Sequence, residues 1–368
     1  MSCKVYIIAG EASGDLHGSN LIHSLYKIHP NLQIKAWGGD LMKNAGADLV
    51  VHYKDIAFMG FVEVVAHLGK IIRYMALCKR DILSFRPDIL ILIDYPGFNM
   101  RIAQWAKKNG IKVAYYITPQ IWAWNTSRVH NLVENTDMRF VILPFEQKFF
   151  KVFGYSTEYV GHPLLDAIHH RFDTIKNVEN PRPFIALLPG SRQQEIHMML
   201  PIMIAATKGM KYDVILAASA SQTPQFYQDI LSKYKADHVK TVHGDTYAVL
   251  KAAHLALVTS GTATLETAIF KVPQIVCYKT GKISYFVAKR LIKTPFISLV
   301  NLIMESALVP ELIQEDCNPT TIQQHLSIIE QNRNDIIAGY EQLIQRLGSS
   351  GASDKVAHAI IKALPSCP

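Results

Sequence analysis

Short apolar runs alternate with longer segments of helical period along most of this chain, and no other feature constrains its fold as strongly. Runs of this kind are typical of strands buried on both faces of a parallel sheet. A first series of predicted strands comprises Val5–Ala9, Ile34–Trp37, Ile89–Ile93, Val113–Tyr116 and Phe140–Leu143. A second series comprises Phe184–Leu188, Val214–Ala217, Val239–Val242, Leu255–Val258 and Gln274–Tyr278. The sequence therefore predicts two doubly wound α/β domains with right-handed crossover helices.

A polar stretch that ends in Glu-Asn-Pro-Arg-Pro separates the two series. We predict an N-terminal domain over residues 1–165, a linker over 166–183, a C-terminal domain over 184–345 and a helical tail over 346–368. The 368 residues are enough for two domains of ordinary size. Because ligands bind beyond the carboxyl ends of parallel strands, we expect the site in a cleft between the domains.

The formal charge of +8 favours an anionic partner, such as a phosphorylated small molecule, a membrane surface or a nucleic acid. The basic residues are dispersed without a readout motif, which argues against nucleic acid. Five scattered cysteines indicate neither a disulfide framework nor a zinc site, and they fit a reducing cytosol. We expect no signal peptide and no transmembrane helix, because no apolar run reaches about 18 residues.

The first predicted strand leads into the segment GEASGDLHG, with glycines at positions 10, 14 and 18. Glycines allow a tight turn to open a helix, whose free N–H groups favour an anion. A plain helix cap by Ser13 or Asp15 explains the same residues. The carboxylates of Glu11 and Asp15 favour a hydroxyl-rich ligand over a bare phosphate.

Asp94 directly follows the third predicted strand. A carboxylate there would face the cleft, and partial burial would raise its pKa towards the range of a general base. Capping of the next helix is the alternative. The aromatic segment Tyr115–Trp124 begins in the next predicted strand and suits either a sugar ring or an interdomain core.

Two motifs of the second domain also follow strands. The Gly-Ser-Arg turn at residues 190–192 offers backbone N–H groups and a forked guanidinium, which suit a diphosphate; an exposed ion pair is the alternative. The turn at residues 260–262 precedes Glu266, whose carboxylate could accept hydrogen bonds from both ribose hydroxyls or could belong to an ordinary capped helix. Together they predict a nucleotide-diphosphate site. No D-x-D or H-E-x-x-H motif occurs, so we expect no metal.

Residues 56–80 carry apolar side chains at helical spacing, flanked by basic ones. This pattern fits a helix that faces the core, or a basic amphipathic surface that binds anionic lipid. On the second interpretation, the membrane contacts are Phe61, Val65, Leu68, Lys70, Ile72 and Arg73.

These motifs occur together, in order, over nearly the whole chain, which resembles the lipid-A-disaccharide synthase family. The resemblance rests on AGEASGDLHG from Ala9, IDYPGFN from Ile93, TPQIWAW from Thr118, GHP from Gly161, LPGSRQQEI from Leu188, SGTATLE from Ser260 and SLVNLI from Ser298. Val300 departs from the family pattern, in which proline precedes the asparagine equivalent to Asn301.

The resemblance implies a GT-B type α/β fold, with two doubly wound Rossmann-like domains facing a central cleft. It implies an inverting glycosyltransferase that condenses UDP-2,3-diacylglucosamine with 2,3-diacylglucosamine 1-phosphate, releasing UDP and the β-1,6 lipid A disaccharide 1-phosphate. Asp94 would be the general base. The UDP-sugar would bind Ser191, Arg192, Ser260, Gly261, Thr262, Glu266 and Asn301. The acceptor-side loop would comprise Glu11, Ser13, Gly14 and Asp15.

The resemblance further implies a cytoplasmic enzyme on the inner face of the inner membrane, bound to its anionic surface and needing no cofactor. Self-association stays open. Two other classes of protein fit the residues. One is a UDP-N-acetylglucosamine 2-epimerase or another UDP-sugar enzyme of the same fold, and the other is a non-catalytic module that binds UDP-sugars or lipids.

Overall fold

The computed structural model describes residues 3–56, 68–124, 126–175, 178–180, 182–281, 285–286, 290 and 294–365. The chain divides into two compact units. Unit 1 comprises Met1–Arg171 and Leu347–Pro368, and unit 2 comprises Phe172–Arg346. Each unit is built on a parallel sheet, which confirms the predicted α/β class.

The sheet of unit 1 has seven strands in the order β3-β2-β1-β4-β5-β6-β7. They are β1 (Lys4–Ala9), β2 (Gln33–Gly38), β3 (Asp48–His52), β4 (Ile89–Ile93), β5 (Val113–Tyr116), β6 (Met138–Val141) and β7 (Glu158–Tyr159). The central strands β1 and β4 are buried nearly throughout, because apolar helices cover both faces of the sheet. These helices are α1 (Ala12–Ile28), α2 (Asp40–Asn44), α3 (Leu68–Phe85), α4 (Pro96–Lys108), α5 (Ile121–Trp124), α6 (Arg128–Glu134), α7 (Glu146–Val152) and α8 (Pro163–Arg171).

Strands β3 and β7 were not predicted, because both are short edge strands with half-buried or exposed residues and lack a continuous apolar run. Strand β6 was predicted to end at Leu143 but ends at Val141. The cause is Glu146, whose carboxylate accepts hydrogen bonds from the backbone N–H groups of Ile142 and Leu143. Those two groups are therefore turned away from the sheet.

Unit 2 has six parallel strands in the order β10-β9-β8-β11-β12-β13. They are β8 (Phe184–Leu188), β9 (Asp213–Ala218), β10 (Val239–His243), β11 (Leu255–Thr259), β12 (Gln274–Tyr278) and β13 (Glu311–Ile313). The helices are α9 (Gln193–Thr207), α10 (Pro224–Lys233), α11 (Thr246–Ala252), α12 (Thr262–Ile269), α13 (Leu299–Met304), α14 (Pro319–Gln331) and α15 (Arg333–Leu347). The short edge strand β13 was not predicted.

The start of the predicted linker is folded into unit 1. Residues 166–171 continue helix α8, because Leu164, Ala167 and Ile168 form a buried apolar face that the surrounding polar residues obscure in the sequence. The division into units falls at Arg171, within the range predicted as linker.

The chain returns to unit 1 at its end. Helix α16 (Ala352–Ala363) packs along α1, and its apolar residues join the core beneath β1. The buried carboxylate of Asp166 accepts backbone N–H groups of Gly351, Ala352 and Ser353 at 2.6, 3.2 and 2.8 Å, and so caps this helix. The predicted tail is therefore part of the first domain's core.

Cysteine bonding and helix length test two further expectations. Cys78, Cys277 and Cys317 are free and buried. Cys3 is disulfide-bonded, which the scatter of cysteines along the sequence did not predict. Throughout the described residues, no helix has both the length and the apolar character that crossing a bilayer requires.

Candidate active site

The loops singled out in the sequence follow the two central strands of each sheet. In unit 1, the last residues of β1 and β4, Ala9 and Ile93, are paired, so the loops that begin at Gly10 and Asp94 leave the sheet side by side. In unit 2, Leu188 at the end of β8 is paired with Val258, the residue before the end of the adjacent strand β11. In both sheets the strand order reverses between these two strands. Parallel sheets bind ligands beyond the carboxyl ends of the strands at such a point.

Asp94 lies at the end of β4 with a half-buried side chain. Burial raises the pKa of its carboxyl, while a hydrogen bond with the backbone of Tyr95 acts in the opposite sense. Both residues have left-handed backbones, with φ of 46° at Asp94 and 50° at Tyr95. A raised carboxylate pKa improves proton abstraction from a hydroxyl, so the side chain is suited to act as a general base.

The ring of Tyr95 packs directly on the backbone of Gly10. A Cβ atom at Gly10 would lie 2.3 Å from Cδ1 of Tyr95, so no larger residue fits without moving the ring. The Tyr95 hydroxyl donates to the carbonyl oxygen of Ile56 at 2.8 Å. Burial and the nearby Glu11 carboxylate raise the pKa of Tyr95 to about 12. The first loop and the Asp94 turn therefore pack together.

Three of the predicted acceptor-side residues lie where α1 begins. Glu11 occupies the N-cap position and is half-buried, and Ser13 is exposed in the first turn. Gly14 is buried, and a Cβ there would lie 3.1 Å from Cβ of Ala9, so this glycine allows α1 to pack closely on β1. Of these side chains, Glu11 lies close enough to the Asp94 turn to raise the pKa of Tyr95.

Asp15 has a structural role that the sequence analysis did not assign to it. Its carboxylate is buried and accepts the backbone N–H groups of Gly39, Leu41 and Met42 at 2.7, 3.2 and 3.0 Å. It therefore caps helix α2. Because its oxygen atoms already serve these three donors, we do not retain Asp15 among the candidate acceptor contacts or bases.

The aromatic segment after β5 is held by a buried acid that the sequence analysis missed. Nε1 of Trp122 donates to Oε1 of Glu146 at 3.1 Å, and the indole packs edge-on against Phe145. Glu146 is 1% exposed, and burial raises its pKa to about 7. Its spacing from Leu143 fits a capping motif, but nothing in the sequence links it to Trp122, 24 residues away.

We expect Glu146 to make unit 1 less stable as the pH rises. The folded chain keeps the Glu146 proton up to about pH 7, whereas the unfolded chain releases it near pH 4.5. The free energy of unfolding should therefore fall by ~3 kcal/mol as the pH rises from about 4.5 to 7. In urea titrations, Glu146→Gln should remove this pH dependence, whereas the exposed Glu134→Gln should retain it. An unchanged slope in Glu146→Gln would contradict the assignment.

The Gly-Ser-Arg turn after β8 lies on the surface of unit 2. Gly190 has a φ of 103°, which favours glycine, and the side chains of Ser191 and Arg192 are exposed. The guanidinium of Arg192 pairs with Glu195, one helical turn further on, at 3.1 Å. Exposed pairs of this kind contribute little to stability, so the cation can exchange its partner for a phosphate.

A second loop, after β9, forms hydrogen bonds with the backbone of this turn. The carbonyl oxygen of Ser191 accepts from Oγ of Ser221 at 2.7 Å and from Nε2 of Gln222 at 3.1 Å. The carbonyl of Gln222 in turn contacts Nε2 of His243, at the end of β10, at 2.8 Å. These residues could not be predicted from the sequence, because short polar loops far apart in the chain carry no pattern that pairs them.

The turn after β11 exposes small residues and is followed by Glu266 in helix α12. Gly261 and Thr262 are exposed, and Oγ of Ser260 donates to the carbonyl of Ile297 at 3.2 Å. Glu266 is half-buried one turn later, and burial raises its pKa. The hydroxyl of Tyr247 donates to its Oε1 at 3.1 Å. Among the described residues, no donor is bound to its other carboxylate oxygen, which is therefore available to a ligand hydroxyl.

Asn301 joins two segments of unit 2 and is 1% exposed. Its Nδ2 donates to the carbonyl of Val309 and to Oε1 of Glu311, and its Oδ1 accepts the Val309 N–H. Both amide hydrogens are therefore used inside the unit, and we do not retain Asn301 as a UDP contact. Val300 is fully buried in helix α13, where Ser298 is the N-cap.

Part of the predicted membrane segment lies outside the described residues. Phe61, Val65 and the side chain of Leu68 belong to that part. Helix α3 exposes Lys70, Ile72 and Arg73, with 61% of Ile72 accessible. Leu83, three turns further along the helix, is 50% exposed. The described part of the segment therefore exposes both apolar and basic side chains.

His162, in the Gly-His-Pro motif, has a structural place. It is buried, its Nδ1 accepts the Leu164 N–H at 3.2 Å, and burial lowers its pKa to about 3. Among the residues that the structure describes, no three His, Cys, Asp or Glu side chains are grouped so that they could hold a metal ion.

Comparison with known families identifies a match along almost the entire chain. The model of the family described as lipid-A-disaccharide synthetase matches residues 5–360. The lipid-A-disaccharide synthase of Syntrophus aciditrophicus is 38% identical over 366 residues, which cover 96% of each chain. The enzyme of the same name from Geobacter metallireducens is 36% identical, covering 98% of this chain and 97% of its own.

Solved structures with the same fold are more distant in sequence. The MnaA–UDP structure from S. aureus has a TM-score of 0.68 at 12% identity and covers 100% of this chain and 99% of its own. A putative UDP-N-acetylglucosamine 2-epimerase from Listeria monocytogenes has a TM-score of 0.65 at 12% identity, covering 98% and 96%. The calicheamicin glycosyltransferase CalG4 has a TM-score of 0.62 at 14% identity, covering 99% and 98%. At these identities the similarity establishes the fold alone.

Proposed function

Since the chain belongs to the lipid-A-disaccharide synthase family, a family of glycosyltransferases, we propose that it joins UDP-2,3-diacylglucosamine to 2,3-diacylglucosamine 1-phosphate. The products are UDP and the β-1,6-linked disaccharide 1-phosphate. One observation carries the proposal: a half-buried carboxylate follows a central strand of one sheet, and an arginine turn follows a central strand of the other. We propose that both act on the same donor sugar.

In this reaction Asp94 activates the acceptor. A sugar hydroxyl has a pKa far above 7 and is a weak nucleophile until its proton is removed. The Asp94 carboxylate takes the proton of the 6-hydroxyl while the oxygen attacks the anomeric carbon, opposite the departing UDP. Burial raises the pKa of this carboxyl towards the working pH, which makes the carboxylate a stronger base. Glu11 and Ser13 bind sugar hydroxyls of the acceptor.

Unit 2 binds the donor and its leaving group. The guanidinium of Arg192 and the N–H groups of the turns at 190–192 and 260–262 contact the diphosphate, where negative charge grows as the glycosidic bond breaks. Glu266, oriented by Tyr247, accepts hydrogen bonds from the ribose hydroxyls. MnaA, which shares this fold, has been solved together with UDP, and this supports the proposal that the chain binds UDP.

Assays with two donors test the function. With the acceptor present, UDP-2,3-diacylglucosamine should yield free UDP and a labelled disaccharide, and UDP-N-acetylglucosamine should yield neither. Conversion of UDP-N-acetylglucosamine into its 2-epimer would instead identify an epimerase. Binding of either donor without turnover would identify a non-catalytic module.

We also propose that the enzyme takes its acylated substrates from the inner membrane surface through the exposed face of α3. The side chains of Lys70, Ile72 and Arg73 are all exposed in the first turns of α3, and exposed basic and apolar side chains together suit anionic lipid. In flotation assays, the chain should bind vesicles that contain phosphatidylglycerol more than vesicles of phosphatidylcholine. The Lys70→Glu/Arg73→Glu variant should lose this preference. The control Lys148→Glu/Lys151→Glu, on exposed positions of α7, should keep it; equal loss in both variants would contradict the proposed face.

A further inference from the structure

We propose that Tyr115 and Asn99 are positioning residues that fix the direction of the Asp94 carboxylate by holding its peptide group; the inference rests on the proposed function of Asp94. The Tyr115 hydroxyl and Nδ2 of Asn99 both donate to the carbonyl oxygen of Asp94, each at 2.8 Å. The backbone N–H of Asp94 donates to the carbonyl of Tyr116 at 3.2 Å. Hydrogen bonds therefore hold this residue on both sides of its Cα atom.

The turn needs such support because its backbone is strained. Asp94 and Tyr95 are consecutive non-glycine residues in the left-handed region, at φ of 46° and 50°. Tyrosine is disfavoured there, whereas aspartate tolerates this region better, and such a pair of residues persists only where the surroundings impose the conformation. If the Asp94 peptide relaxed, its φ and ψ would change, and its carboxylate would point elsewhere.

The two donors come from separate, rigid parts of unit 1. Tyr115 lies in β5 and Asn99 in the first turns of α4, and both are 0% exposed. Nδ2 of Asn99 also lies 3.2 Å from the carbonyl of Ile93, the last residue of β4. Burial and the nearby Asp94 carboxylate raise the pKa of Tyr115, so its hydroxyl keeps its proton and donates throughout the working pH range.

The next residue along β5 provides a matched control. Tyr116 is also 0% exposed, but successive residues of a strand face opposite sides of the sheet. Its hydroxyl lies near the Ser353 side chain and, within the described residues, makes no hydrogen bond with the Asp94 turn. Tyr115→Phe and Tyr116→Phe therefore remove the same group from the same strand, and only the first removes a bond to Asp94.

We expect Tyr115→Phe to lower kcat about tenfold, the effect of losing one well-placed hydrogen bond, while KM stays within about twofold. The acid limb of the kcat/KM profile should also move, because the carboxylate's surroundings change. Tyr116→Phe should leave kcat and the profile within about twofold of the wild type. Equal losses of kcat in the two variants would overturn the inference. Asn99→Ser provides a second variant, for which we expect a larger fall in kcat than in Tyr115→Phe.

A double-mutant cycle separates this inference from the proposed role of Asp94. In an Asp94→Asn background, Tyr115→Phe should change the residual kcat by less than about twofold, because the group that it positions has gone. A further tenfold loss there would overturn the positioning role, even if Asp94→Asn is nearly inactive. An Asp94→Asn enzyme with wild-type kcat would instead contradict the proposed general base.

Discussion

Replacing Asp94 with asparagine is expected to lower kcat by roughly 10²–10⁴-fold, the usual contribution of a positioned general base. Asparagine keeps the size of the side chain and tolerates the left-handed backbone, but it cannot take a proton. KM should change little, because the acceptor is bound by other groups as well. The measurement is steady-state formation of the labelled disaccharide.

The same strand offers a control for this substitution. Asp88 precedes β4, and its carboxylate accepts the backbone N–H of Lys4, so Asp88→Asn makes the same chemical change at the opposite end of the strand. We expect its kcat to stay within about twofold of the wild type. Near wild-type activity in Asp94→Asn together with a large loss in Glu11→Gln would assign the base to Glu11.

The pH profile of the wild-type enzyme should agree with the role of Asp94. A base acts only when deprotonated, so kcat/KM should fall as the pH drops through the pKa of its carboxyl. Because burial raises that pKa, the acid limb should lie above the ordinary aspartate value of 3.8. This limb should be absent from the residual activity of Asp94→Asn.

Arg192→Ala is expected to lower kcat by roughly 10²-fold, because it removes a cation from the diphosphate as charge develops on the leaving group. Arg192→Lys should recover only part of the loss, since an ammonium group cannot form the forked pair of hydrogen bonds. The affinity for UDP, measured by calorimetry, should fall in both variants.

Arg182 serves as the control for this second substitution. It is another exposed arginine of unit 2. It lies just before β8 and pairs with Asp213, the first residue of β9, so this ion pair is at the amino ends of the strands, opposite to the candidate site. We expect Arg182→Ala to retain both kcat and UDP affinity. If Arg192→Ala retained them too, Arg192 would be an ordinary surface ion pair with Glu195.

The sequence was sufficient to predict the two sheets and the loops that follow their central strands. Strands such as Ile89–Ile93 are apolar on both faces, so their limits are visible without tertiary information. Because Asp94 follows such a strand, its position at the sheet edge follows from the strand itself. Edge strands such as Glu158–Tyr159 lack this pattern, and they were missed for that reason.

The roles of individual polar residues were harder to predict. Asp15 and Asn301 lie in motifs beside the expected site, but their side chains hold backbone groups of distant segments. Carboxylates and amides bind ligands and backbone groups through the same atoms, so composition cannot separate the two roles. Only the tertiary fold brings Gly39 to Asp15 and Val309 to Asn301.

The central claim is that a carboxylate of one domain and a guanidinium of the other act on the same sugar. A crystal structure with a non-transferable analogue of the donor and with the acceptor tests it most directly. We predict an Asp94 carboxylate oxygen roughly 3 Å from the acceptor's 6-hydroxyl and the Arg192 guanidinium on the diphosphate of the same donor. A complex in which either side chain lies away from the bound sugars would contradict the claim.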